Sequence, residues 1–195
     1  MVNSAYAKAA IEALVNWNGK SFEEAQEIVA THTREEIEGM CWAEGSVKSG
    51  FDAIMKSLRA RGIEISDEKK EELYRAILDG PENSSLLSEM EELTRKIDRN
   101  EVALEALTQI HDNWVANPKS FAKIHRVDKD GNPTSYMHTP LEMIGWDEVN
   151  KDYIFLKPVM ESLRIPIENK QELVSQYEEM QVQFSRDMRL TEEKI

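Results

Sequence analysis

Apolar positions recur at helical spacing along nearly the whole chain. Residues 4–17 set Ala5, Ala9, Ile11, Leu14, Val15 and Trp17 in a helix-like pattern, which Asn18-Gly19 stops. Ser21-Phe-Glu-Glu24 and Thr33-Arg-Glu-Glu36 are both capping-box sequences. In each, the hydroxyl satisfies a free N–H of the first turn and the glutamate three residues on reaches back to another. One predicted helix therefore runs to about His32. The next carries Ile37, Met40 and Cys41, can break at Gly45-Ser46, and continues through Val47, Phe51, Ile54, Met55 and Leu58. Ser66-Asp67 opens an acidic helix through Leu73, Ile77 and Leu78. Asp79-Gly80-Pro81 closes it, because proline lacks the N–H a helix needs and restricts the residue before it. This is the strongest boundary signal, and it divides the chain into an N-terminal helical block (1–80) and a second part (81–195).

The second part opens with a repeat in steps of four and three: Leu86, Met90, Leu93, Ile97, Asn100, Leu104, Leu107, His111 and Trp114. Such heptad spacing predicts one long coiled-coil-like helix over about 85–115, roughly 45 Å in length at 1.5 Å per residue. Leu87, Ala103, Ala106 and Ile110 widen its apolar face, which suits a bundle better than an isolated two-stranded coil. Asn100 and His111 either fix the register of that seam or reach water at its edge.

After Asn117-Pro118 the period changes. Phe121–Val127 and Ser135–Thr139 alternate like short strands around the polar run DKDGN. A calcium loop needs glycine at its sixth position and glutamate at its twelfth, but counting from Asp128 the glycine comes fourth and Thr139 is twelfth. Asp-Gly between strand-like runs is instead a turn signal, so a small β-hairpin over about 121–139 is predicted. Thr139-Pro-Leu-Glu142 reads as a helix start. The stretch 147–165 is helical by pattern, with Pro158 expected to kink or split it. Asn169-Lys-Gln-Glu172 caps a last helix bearing Leu173, Tyr177, Met180, Phe184 and Met188. The fold expected from these patterns is mainly α: a multi-helix bundle with one long central helix and a β-hairpin insertion.

Charge narrows the functional choices. With 24 basic and 37 acidic residues the net charge is −13, so phosphate backbones and anionic membranes are repelled and direct nucleic-acid binding is disfavoured. A basic protein partner is favoured by the same field, although an acidic surface also serves solubility alone. The segment 117–145 is the one part that is not acidic (4 − 3 = +1). The single cysteine, Cys41, excludes an internal disulfide, and its acidic neighbours disfavour a reactive thiolate. Neither a signal-peptide pattern nor an apolar run near 18 residues occurs, so a cytoplasmic protein without a membrane span is expected.

Catalytic motifs are missing. There is no P-loop, no G-x-S-x-G, no dinucleotide fingerprint, no H-E-x-x-H and no Cys/His cluster. No catalytic residue, metal site or cofactor is therefore assigned. Trp114, Phe121, His125, Tyr136, His138 and Trp146 gather around the expected hairpin, and they form either a recognition surface or a small core joining hairpin to bundle. The sequence thus points to a non-catalytic acidic interaction or regulatory protein, one form of which is an inhibitor filling the basic groove of a nucleic-acid-handling enzyme. A homodimer through the 86–114 seam is a further expectation. The alternatives are an enzyme with a site near His111, Asp112, His125 and His138, and a helical DNA-binding regulator, which the −3 charge of residues 1–60 opposes.

Overall fold

The computed structural model describes residues 4–16, 18–41, 43–79, 85–116, 141 and 144–192. Among them lie nine helices: α1 (Ala5–Asn16), α2 (Phe22–Thr31), α3 (Arg34–Met40), α4 (Ala43–Ala60), α5 (Asp67–Asp79), α6 (Ser85–Thr94), α7 (Arg99–Ala116), α8 (Trp146–Ser162) and α9 (Lys170–Glu192). The mainly α expectation holds. The expected architecture with a β-hairpin insertion is corrected, because no strand or sheet is seen among the described residues. The stretch that suggested it, 121–139, lies outside them. A local Asp-Gly turn signal is weak ground for a hairpin, since a lone two-stranded ribbon is only marginally stable in water.

The expected single helix over 85–115 is also corrected. It is two helices, broken at residues 95–98. The buried Thr94 turns its hydroxyl back to the Met90 carbonyl at 2.7 Å, and Asp98 starts the next helix by accepting from the N–H groups of Asn100 (2.9 Å) and Glu101 (3.3 Å). Asp98 is thus an N-cap inside the apparent heptad run. The break rotates the buried face. Met90, Leu104 and Leu107 of the seam are buried, but Leu93 is exposed, while Leu87, Val102, Ala103, Ala106 and Ile110 face the core. Apart from Leu93, these apolar residues belong to the chain's own core.

The bundle is built around α1. Ala5, Ala7, Ala9, Ala10 and Ala13 are all fully buried, and α2, α4, α5 and α8 pack on this helix. α4 lies against α7 and α8 as well, so helices from both sides of residue 80 share one core. Gly50 on α4 faces Leu156 and Val159 of α8, where an added Cβ would stand 3.5 Å from both side chains. Both capping boxes form as the sequence predicts, at Ser21/Glu24 and Thr33/Glu36. Ser66 and Asn169 cap α5 and α9.

Two helices end in the same way for different reasons. After α4, Gly62 adopts φ +81° and the N–H groups of Gly62 and Ile63 return to the carbonyls of Arg59 and Leu58, a Schellman motif. After α8, Arg164 takes the same left-handed region at φ 59°, with its own N–H and that of Ile165 returning to Glu161 and Met160. A non-glycine residue there costs about 1 kcal/mol. The Arg164 side chain offsets this by donating to Ser88 at 2.9 Å and pairing with Glu91, both on α6. Neither Gly45 nor Pro158 splits its helix, since α4 and α8 run through them.

Candidate interaction surface

The residues nominated from sequence are only partly placed. Phe121, His125, Tyr136 and His138 lie outside the described residues. Trp114 sits in the last turn of α7. His111 is half-buried on the same helix and Asp112 is exposed. Trp146 opens α8 and is half-buried in an aromatic cluster, 5.6 Å ring to ring from both Tyr153 and Tyr177. Tyr177 is fully buried, and its hydroxyl reaches the carbonyls of Leu141 (2.6 Å) and Ile144. Gln181 donates a second bond to the Ile144 carbonyl at 2.7 Å. Trp146 therefore belongs to the packing that ties Leu141 and residues 144–146 to α9.

Among the described residues no group of three or more His, Cys, Asp or Glu side chains could hold a metal ion. Cys41 is buried, and burial pushes its thiol pKa up; the Ala43 backbone N–H opposes this and the Glu38 carboxylate adds to it, so the thiol is a poor nucleophile. No helix among the described residues is long and apolar enough to cross a membrane.

The most developed polar cluster joins α4 to α7. Arg61 grips Glu105 through two nitrogens, at 2.5 and 3.1 Å, and reaches Glu101 at 3.3 Å. Ser57, itself buried, donates to Glu105 at 2.7 Å. Arg61 also donates to the Ser57 carbonyl in the last turn of α4. The hydrogen bonds from Arg61, then that from Ser57, hold the Glu105 carboxyl below its usual pKa against the opposing effect of burial. A depressed folded-state pKa gives stability that is present above the unfolded value, near 4.5, and is lost as pH falls through the folded one. Glu105→Gln is therefore expected to destabilise at neutral pH by about 1 kcal/mol, because the pair is only partly covered. The deficit should shrink as pH drops below about 4. Denaturant unfolding of both proteins at several pH values checks this; a deficit that does not change with pH would refute the ionic role.

The exposed sides of α2 and α3 carry acidic and apolar residues. Residues 21–40 hold six glutamates and one arginine, a net of 1 − 6 = −5. Their roles divide. Glu24 and Glu36 are used in capping, and the backbone N–H groups of Ser21 and Thr33 lower their pKa values. Glu23, Glu27 and Glu35 point into solvent. The one cation, Arg34, is engaged elsewhere: it bonds the Leu78 carbonyl at 3.2 Å and Asp79 at 3.0 Å at the end of α5, and lies 4.9 Å over the Tyr6 ring. Two large apolar residues stand exposed in this acidic setting, Phe22 at 53% and Met40 at 40%. The Asn18 side chain donates to the Met40 carbonyl at 2.9 Å, which brings the end of α3 to the turn from which Phe22 emerges. Sequence reading found the glutamates through their caps but missed this surface, because Phe22 and Met40 look like ordinary core residues until their exposure is seen.

No protein-family model, curated protein or solved structure matches the chain.

Proposed function

We propose that the protein is a non-catalytic interaction or regulatory protein of the cytoplasm whose α2–α3 face receives a basic protein partner. The observation that carries this reading is the exposure of Phe22 and Met40 within a segment of net charge −5 whose one arginine is paired with Asp79. Carboxylates on such a face attract lysine- and arginine-rich surfaces over distance, and the apolar residues then anchor the contact. A basic groove that ordinarily holds a phosphate backbone fits this description, so an inhibitor of a nucleic-acid-handling enzyme is the form of the function best matched to the chemistry.

The test compares the wild-type protein with a Phe22→Ala, Glu23→Lys, Glu27→Lys, Glu35→Lys variant as baits in a nuclease-treated lysate. Salt is raised from about 0.1 to 1 M, over which the screening length falls from ~10 to ~3 Å. The expected result is a basic protein held by the wild type at low salt, released at high salt, and not held by the variant. Equal capture by both baits, or capture that ignores salt, would remove this face from the function.

A further inference from the structure

The charges on the outer face of α9 change sign at its midpoint. Ser175, Glu178, Glu179, Val182, Arg186 and Arg189 fall within one arc of this 23-residue helix, and all are exposed. The buried Leu173 and Tyr177 occupy the opposite arc. Glu178 and Glu179 stand one turn before Val182, and Arg186 and Arg189 one and two turns after it. Val182 itself is a large apolar side chain left 51% exposed. Ser175, Glu178, Glu179, Val182, Gln183 and Arg186 together line a shallow, open depression on this face.

We propose that this face pairs two copies of the chain, with their α9 helices antiparallel and Val182 on the twofold axis. The order of charges selects that arrangement. With the axis at Val182, residue 178 of one copy is level with 186 of the other, and 175 is level with 189. Glu179 then faces Arg186 of the second copy along one flank of the contact, and Glu178 faces Arg189 along the other. Symmetry repeats both pairs, so four oppositely charged pairs surround the two valines. A parallel alignment would set glutamate against glutamate and arginine against arginine. The rest of each copy is strongly acidic, with a net −13 overall, so repulsion elsewhere confines the contact to this helix. One apolar residue per copy and solvent-exposed ion pairs make a weak dimer that salt weakens further.

Val182→Cys tests the pairing, because residues on a twofold axis meet their own copies and the native Cys41 is buried. Under mild oxidation this variant is expected to form disulfide-linked dimers about tenfold faster than Glu72→Cys, another exposed site, on α5, since pairing raises the local thiol concentration. Adding Glu178→Arg and Glu179→Arg should abolish the excess. Adding Arg186→Glu and Arg189→Glu to those two should restore it. All these positions are on an exposed helix surface, and unchanged circular dichroism would confirm the fold. Cross-linking at Val182 no faster than at Glu72, or no recovery when all four charges are exchanged, would overturn the proposal.

Discussion

Replacing Tyr177 with alanine is expected to lower the unfolding free energy by about 3–5 kcal/mol, the usual cost of removing a buried aromatic side chain. The ring is fully buried and lies edge-on to Trp146 at 5.6 Å, so its loss opens a cavity and breaks an aromatic contact. Tyr177→Phe separates the hydroxyl from the ring. It keeps the packing and removes the donor shared by the Leu141 and Ile144 carbonyls. The Ile144 carbonyl retains Gln181, and the buried Leu141 carbonyl retains the Ile144 N–H at 3.2 Å. Neither acceptor is stranded, so the loss is that of an ordinary hydrogen bond, about 0.5–1.5 kcal/mol, and the phenylalanine variant should fall between wild type and alanine. Denaturant unfolding of the three proteins gives the comparison. An alanine variant within about 1 kcal/mol of wild type would mean that Leu141 and residues 144–146 do not depend on α9 for their position; the threshold is the scale of an ordinary surface change, roughly twice ±0.5 kcal/mol.

Helix positions were legible from sequence because their signals are local. Ser21, Thr33, Ser66 and Asn169 each cap a helix where the spacing of acceptor and following residues says they should. The break between α6 and α7 was equally local, written in Asp98 and in Glu101 three residues later, but a seven-residue apolar repeat across it concealed the cap. Heptad spacing reports which residues could share a face if a helix is continuous; it does not report continuity. Leu93 shows the consequence, since it fits the repeat and is nevertheless exposed. The candidate surface was less legible for another reason. Trp146 was selected as an aromatic near a turn, and three-dimensional packing places it against Tyr153 and Tyr177. Phe22 and Met40 carried no contrary signal in the sequence. Exposure of an apolar side chain depends on what the rest of the chain brings to cover it, and Arg34 shows the same dependence: its partner Asp79 lies 45 residues away.

Substituting leucine for Ala9 is expected to be as damaging as a typical core overpacking, about 1–3 kcal/mol or more, although leucine is nearly as good a helix former as alanine. The sequence of α1 suggests an ordinary amphipathic helix, with alanines filling positions of little consequence. In the fold, Ala9 and four other alanines are fully buried, and the helix is approached by α2, α4, α5 and α8. Helices packed through larger side chains stand about 8–10 Å apart, and small residues on the central helix allow several neighbours to close on it together. An added isobutyl group at Ala9 must displace one of them. Ala30→Leu, on the exposed side of α2, supplies the control, because the same change in an exposed helix should stay within about 0.5 kcal/mol of wild type. Unfolding measurements on the two variants decide the matter. If Ala9→Leu were as neutral as Ala30→Leu, α1 would have to tolerate separation from its neighbours, and a bundle organised on one small-residue helix would be the wrong description. If it is strongly destabilised while its helix content persists, the alanines are the packing determinant that holds α2 against the body and thereby fixes where Phe22 and the glutamates of the acidic face stand.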